Sequence, residues 1–112
     1  MKVNIQSKNL ELTPEIKEYV QKKMDMLDKY FGDVKVINAD FEVERTTMRH
    51  NKGKIYRAEA NIEVPGELLR VEKTEKTLFK AIDKVKDHLT RSIKRYKQKR
   101  IDRNREKAKE DI

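Results

Sequence analysis

Lys80, Lys84, Arg91 and Arg95 follow one another at steps of four and seven residues, and at about 100° per residue they fall on one side of a helix. His88 stands at the edge of that row. A line of fixed positive charge matches the phosphates of a nucleic acid and predicts affinity that falls steeply with salt. On the other side of the same segment, Leu78, Ile82, Val85, Leu89, Ile93 and Tyr96 recur at steps of three and four, as a helix facing a core requires. No Gly or Pro interrupts residues 77–100.

Other chemistry finds little support. Gly32, Gly53 and Gly66 stand singly at turn positions, so no glycine-rich loop is available to cradle a phosphate. The two histidines, His50 and His88, have no His or Cys at metal-ligand spacing, and the chain has no Cys. No Ser lies in a nucleophile elbow. The carboxylates fall on the polar faces of strands, where solvation is the ordinary state. The pattern argues against an enzyme, a metal site, a cofactor or a small-molecule substrate.

The 112 residues are enough for one domain with a thin core, since 36% are apolar and 43% charged. The net charge of +8 is unevenly placed. Residues 73–112 hold 15 Lys and Arg against 7 Asp and Glu, whereas residues 1–72 hold 13 of each. Such asymmetry points to a polyanionic partner. No apolar run reaches signal-peptide or membrane-span length, and a cytoplasmic protein is expected. A membrane-surface role is disfavoured because the apolar stripe of the last helix is needed for the core.

The elements that must position the basic row are legible in order. Val3 and Ile5 alternate with polar neighbours in a short first strand. Thr13-Pro14-Glu15 reads as a helix start, with Ile16, Val20, Met24, Leu27 and Phe31 as its apolar stripe and Gly32 as its end. Lys22 and Lys29 lie on the outer side of that helix and Lys23 borders its stripe. The period then changes to two: Ile37, Ala39, Phe41 and Val43 face one way, Asp40, Glu42 and Glu44 the other. A polar loop over residues 46–53 leads into a strand with Tyr56, Ala58, Ala60, Ile62 and Val64 inward. Pro65-Gly66 turns the chain into a fourth strand bearing Leu69 and Val71.

The expected fold is α+β, in the order β-α-β-β-β-α, with a four-stranded sheet and both helices packed on one face. The open face then carries Asp40, Glu42, Glu44, Glu59, Glu63 and Glu72 against Arg57 and Arg70. Residues 1–100 form the binding domain and residues 101–112 a charged tail. A polyanion would meet the helical side only. Aromatic residues are missing from the open sheet, so base stacking there is not expected.

These residues resemble a known family. Thr13-Pro14-Glu15-Ile16 leading to Tyr19-Val20 and Lys23, then Leu27-Asp28-Lys29-Tyr30-Phe31, is similar to the first helix of the ribosome hibernation-promoting factors, also called ribosome-associated translation inhibitors. Val64-Pro65-Gly66, the Ala81-Ile82-Asp83 step, and Leu89 with Arg91 and Arg95 resemble the second half of that domain. The resemblance covers about residues 1–100. It implies a non-enzymatic protein that binds 16S ribosomal RNA of the small ribosomal subunit, between head and body. There it would block mRNA and the A- and P-site tRNAs, silencing translation in stationary phase or stress. Lys23, Lys29, Arg91 and Arg95 fall on the family's RNA-contacting positions, and His88 stands where relatives often carry Lys. With Lys22, Lys80, Lys84 and Lys99, these make up the candidate RNA-binding set. The chain resembles the short forms, which lack a ribosome-dimerising domain. Two other readings compete: a general double-stranded RNA-binding module, and an adaptor that docks its acidic sheet face on a basic protein.

Overall fold

The computed structural model describes residues 1–46 and 55–110. His50 and the hairpin loop expected up to Gly53 lie outside the described residues, except for Thr46. The alternating segments form β1 (Asn4–Lys8), β2 (Asn38–Arg45), β3 (Tyr56–Val64) and β4 (Glu67–Glu75). The segments of helical period form α1 (Pro14–Asp25), α2 (Asp28–Phe31) and α3 (Leu78–Glu110). The sheet runs β1-β2-β3-β4. β1 is parallel to β2, with Ile5 opposite Phe41, and the other neighbours are antiparallel, with Phe41 opposite Ala60 and Ala60 opposite Val71. A parallel pair cannot be closed by a tight hairpin, and α1 and α2 make the crossover.

The α+β arrangement is the one expected, with both helical segments on one sheet face. Val20, Met24, Leu27 and Phe31 from the first helical segment join Ile82, Val85, Leu89 and Ile93 of α3 in one core with Phe41, Val43, Ile62 and Val71. Ala39, Ala58 and Ala60 are fully or almost fully buried, and their short side chains let the helices come close to the sheet.

The structure corrects the sequence reading at two places. The first helix does not run unbroken to Phe31. It tightens after Asp25, where the Leu27 amide bonds to the Met24 carbonyl at 3.0 Å and the Tyr30 amide to Leu27 at 2.9 Å. This turn keeps Met24, Leu27 and Phe31 all buried, and the Met1 amino group donates to Asp25 and Asp28 on either side of it, at 3.0 and 2.9 Å. Ile37, expected inward, is 53% exposed. It precedes the strand and holds the sheet only through its amide, bonded to the Glu63 carbonyl at 2.8 Å, while Val34 and Val36 pack on the core.

At the start of α3, the Thr77 hydroxyl accepts from the Lys80 amide at 3.2 Å and caps the helix. Among the described residues, Tyr96 is the last buried one of α3. Its hydroxyl donates to the Pro65 carbonyl at 2.6 Å, tying the helix to the β3–β4 turn. Gly66 supplies that turn with φ +81°, a left-handed conformation that costs glycine little. α3 continues past residue 100 without a break, and residues 98–108 are exposed.

Candidate nucleic-acid interface

The outer side of α3 carries the basic row, but its members differ in how free their charge is. Arg91 and Arg95 are exposed and pair with no carboxylate among the described residues. Lys80 and Lys84 lie 3.5 and 3.2 Å from Glu75, whose side chain is only 4% exposed at the end of β4. Their ammonium groups reach solvent, yet part of their field is spent on a buried carboxylate. The two lysines therefore also fasten the first turns of α3 to the sheet.

His88 is half-buried between these groups. Burial, and then the charges of Lys73, Arg91 and Arg95, hold its pKa below the ordinary histidine value. It is a neutral ring at pH 7, and its Nδ1 is buried without a hydrogen-bond partner. Lys73 belongs to this cluster and was missed in the sequence. The signal was present: Leu69, Val71, Lys73 and Glu75 share one strand face, the face that packs under α3.

The lysines of the first helical segment meet α3 along a seam. Lys23 lies 3.2 Å from Asp83 of α3 and 5.3 Å from the Tyr19 ring centre, and the Tyr19 hydroxyl donates to the same Asp83 at 2.5 Å. The hydrogen bond with Asp83, ahead of that carboxylate's charge, raises the Lys23 pKa against the effect of burial. Lys29 stands over the Tyr30 ring at 5.1 Å, and Lys94 of α3 stands over the same ring at 5.2 Å. Lys94, which lay off the stripe seen in sequence, is thus what joins the two helical segments into one basic surface. Lys22 is exposed and unpaired among the described residues. Lys99 lies 3.8 Å from Glu67.

The opposite face is acidic and internally tied. Glu42, Glu59 and Glu72 stand in one cross-strand row, an arrangement of like charges that would repel. Arg57, two residues from Glu59 along β3 and only 16% exposed, reaches Glu42 at 2.9 Å, Glu59 at 2.6 Å and Glu72 at 3.0 Å, with Glu44 at 3.6 Å. Burial opposes the charge on Arg57, but the bonds to Glu72 and Glu42 outweigh it and hold the guanidinium pKa above its usual value. Burial likewise opposes the charge on Glu59, and Asn61, Arg70 and Arg57 together pull its pKa below the usual carboxylate value.

The helical face is therefore suited to holding a polyanion by fixed charge, with affinity that responds to salt. Among the described residues no cluster of His, Cys, Asp and Glu could hold a metal ion, and no helix is long and apolar enough to cross a membrane.

Comparison with known proteins adds a second line of argument. The family model described as Sigma 54 modulation protein / S30EA ribosomal protein matches residues 3–101. A ribosome hibernation promotion factor of Lactococcus lactis is 33% identical over 97 residues, which are 87% of this chain and 50% of that protein. One from Deinococcus radiodurans is 29% identical over 110 residues, 96% of this chain and 55% of that protein. This chain thus spans about half the length of these relatives. Among solved structures, the N-terminal domain of Thermus thermophilus Protein Y superposes with a TM-score of 0.72 at 32% identity, covering 86% of this chain and 99% of that one. A ribosomal subunit interface protein from Coxiella burnetii shares the fold, with a TM-score of 0.69 at 17% identity over 88% of this chain and 99% of its own.

Proposed function

The chain belongs to the Sigma 54 modulation protein / S30EA ribosomal protein family, and from that premise we propose that it promotes ribosome hibernation by binding the small ribosomal subunit through its helical face. The ligand is 16S ribosomal RNA at the decoding region, and occupation of that site excludes mRNA and the A- and P-site tRNAs. The action is binding in the cytoplasm, without catalysis. The observation that carries this reading is the partition of charge: Glu42, Glu44, Glu59 and Glu72 of the sheet pair with Arg57, while Arg91 and Arg95 remain exposed and pair with no carboxylate among the described residues.

The proposed contacts divide by role. Arg91, Arg95 and Lys22 offer full charge to phosphates, and Lys29 acts with Lys94 across Tyr30. Lys23, Lys80, Lys84 and Lys99 contribute charge already shared with Asp83, Glu75 and Glu67. His88, neutral at pH 7, supplies hydrogen bonds rather than charge.

Sedimentation with purified small subunits at two salt concentrations tests the reading. The double reversal R91E/R95E is expected to abolish co-sedimentation while leaving the fold intact, because neither arginine holds another element in place. If it binds as well as the wild type, the helical face is the wrong surface and docking through the acidic sheet becomes the better reading. mRNA and tRNA analogues are expected to displace the wild-type protein; failure to do so would leave only a general duplex-RNA binder.

A further inference from the structure

Lys84 precedes His88 by one four-residue step, and Arg91 and Arg95 follow it by steps of three and seven. All three therefore lie within about 60° of the histidine around α3. Lys73 comes to the same place from β4, on the strand face that packs under the helix. The other strand beneath α3 adds no charge on its inward face, where Tyr56, Ala58, Ala60 and Ile62 stand. Two carboxylates are near, and both are engaged. Glu75 of β4 holds Lys80 and Lys84, and Asp87, 63% exposed, holds Lys86 at 3.4 Å. The charges that act on the ring are those of Lys73, Arg91 and Arg95. None of these three pairs with a carboxylate among the described residues.

We propose that His88 takes up a proton from solvent when an RNA phosphate docks among Lys73, Arg91 and Arg95, so that the helical face binds RNA more tightly as pH falls below neutrality; the proposal rests on the reading of that face as the RNA surface. Two features tie the proton to the ligand. The first is charge. An imidazolium in the free protein would be one more cation beside three that are unpaired, and burial and then those charges hold the ring neutral. A phosphate leaves the burial in place but answers the three cations and adds an opposite charge, which within about 4–6 Å favours the protonated ring. The second feature is hydrogen bonding. Nδ1 is buried without a partner among the described residues. A charged ring donates from both nitrogens, so the free protein would bury a cationic donor with nothing to accept from it. The free site thus opposes the proton, and a bound anion removes part of that opposition. Lysine and arginine, charged throughout this range, cannot respond in the same way.

A histidine whose pKa is higher in the complex than in the free protein strengthens binding as pH falls, by at most about tenfold per pH unit for one proton. The test uses the full chain and a short RNA hairpin, with fluorescence anisotropy at about pH 7.5 and about pH 5.8 and constant ionic strength. Wild type should bind about three- to tenfold more tightly at the lower pH, with a log-log salt slope steeper by about one unit. H88Q cannot gain the charge and should lose the dependence, as should H88K, which carries the charge at both values. Any titration of the hairpin itself appears in every protein and cancels in the comparison. The chain has one other histidine, His50, and H50Q should respond as wild type does. Circular dichroism at both pH values checks that each variant is folded. An equal response in wild type and H88Q, whether large or nil, overturns the proposal. If R91E/R95E still abolishes hairpin binding in that case, the helical face remains the RNA surface and only the proton uptake is wrong. Hairpin binding that survives R91E/R95E removes the surface itself, and both readings with it.

Discussion

The two faces of the molecule are both dense in charge, and they treat it in opposite ways. On the open sheet, Glu42, Glu59 and Glu72 are brought into one row by strand register, and one shielded arginine reaches all three. On the helical side, like charges are also brought into rows, but Arg91 and Arg95 have no counter-charge among the described residues. Charge that is satisfied internally stabilises the fold, and charge left unsatisfied is available to a partner. The difference between the faces is therefore one of pairing more than of sign.

The strongest way to break that contrast is to remove the cation from the sheet. Arg57→Ala leaves three carboxylates facing one another, and because the group is mostly shielded the loss should be about 2–3 kcal/mol, less than for a fully buried pair. Urea unfolding measures it, and RNA affinity of the folded protein should stay unchanged. A loss below about 0.5 kcal/mol would mean the row is well solvated and Arg57 is incidental.

A smaller effect comes from freeing charge on the helical side. Asp83→Asn keeps a partner for the Tyr19 hydroxyl but releases Lys23 from its counter-ion. Surface pairs of this kind are worth about 0.2–1 kcal/mol, so RNA binding should tighten up to about fivefold. Weaker binding in a titration would show that Asp83 positions Lys23 for contact and does not merely mask it.

The smallest effect concerns pH. The lowered pKa of His88 means that the unfolded chain binds a proton more readily than the folded one. Stability should therefore be full above the ordinary histidine value of about 6.5 and decline as pH falls through the window below it. His88→Gln should flatten that part of the profile. An unchanged slope between wild type and variant would assign the dependence to other groups.

Much of this was legible before the fold was known. Period-two and period-three-to-four spacing identified Phe41, Val43, Ile62, Val85, Leu89 and Ile93 as inward, because burial of apolar area is what sets those periods. The acidic face was legible for the same reason, as the other half of each alternation. The role of Glu75 was not. Its position on the inward side of β4 was visible, but only packing shows that Lys80 and Lys84 converge on it. The break after Asp25 was hidden too, since a tightened turn preserves the apolar spacing that signals an unbroken helix. So was the joining of Lys29 and Lys94, which are far apart in the chain and meet only across Tyr30.

The sequence by itself determined the element order, the sidedness of each element and the excess of positive charge in the last third, all of which follow from local spacing and composition. Only the tertiary structure decided which charges are free. Pairing depends on distances between side chains from different elements, and Coulomb energy falls with separation and with solvent screening in a way no linear spacing encodes. Strand register set Arg57 among four carboxylates, packing of α3 on β4 set two lysines on Glu75, and the same packing left Arg91 and Arg95 open to a partner.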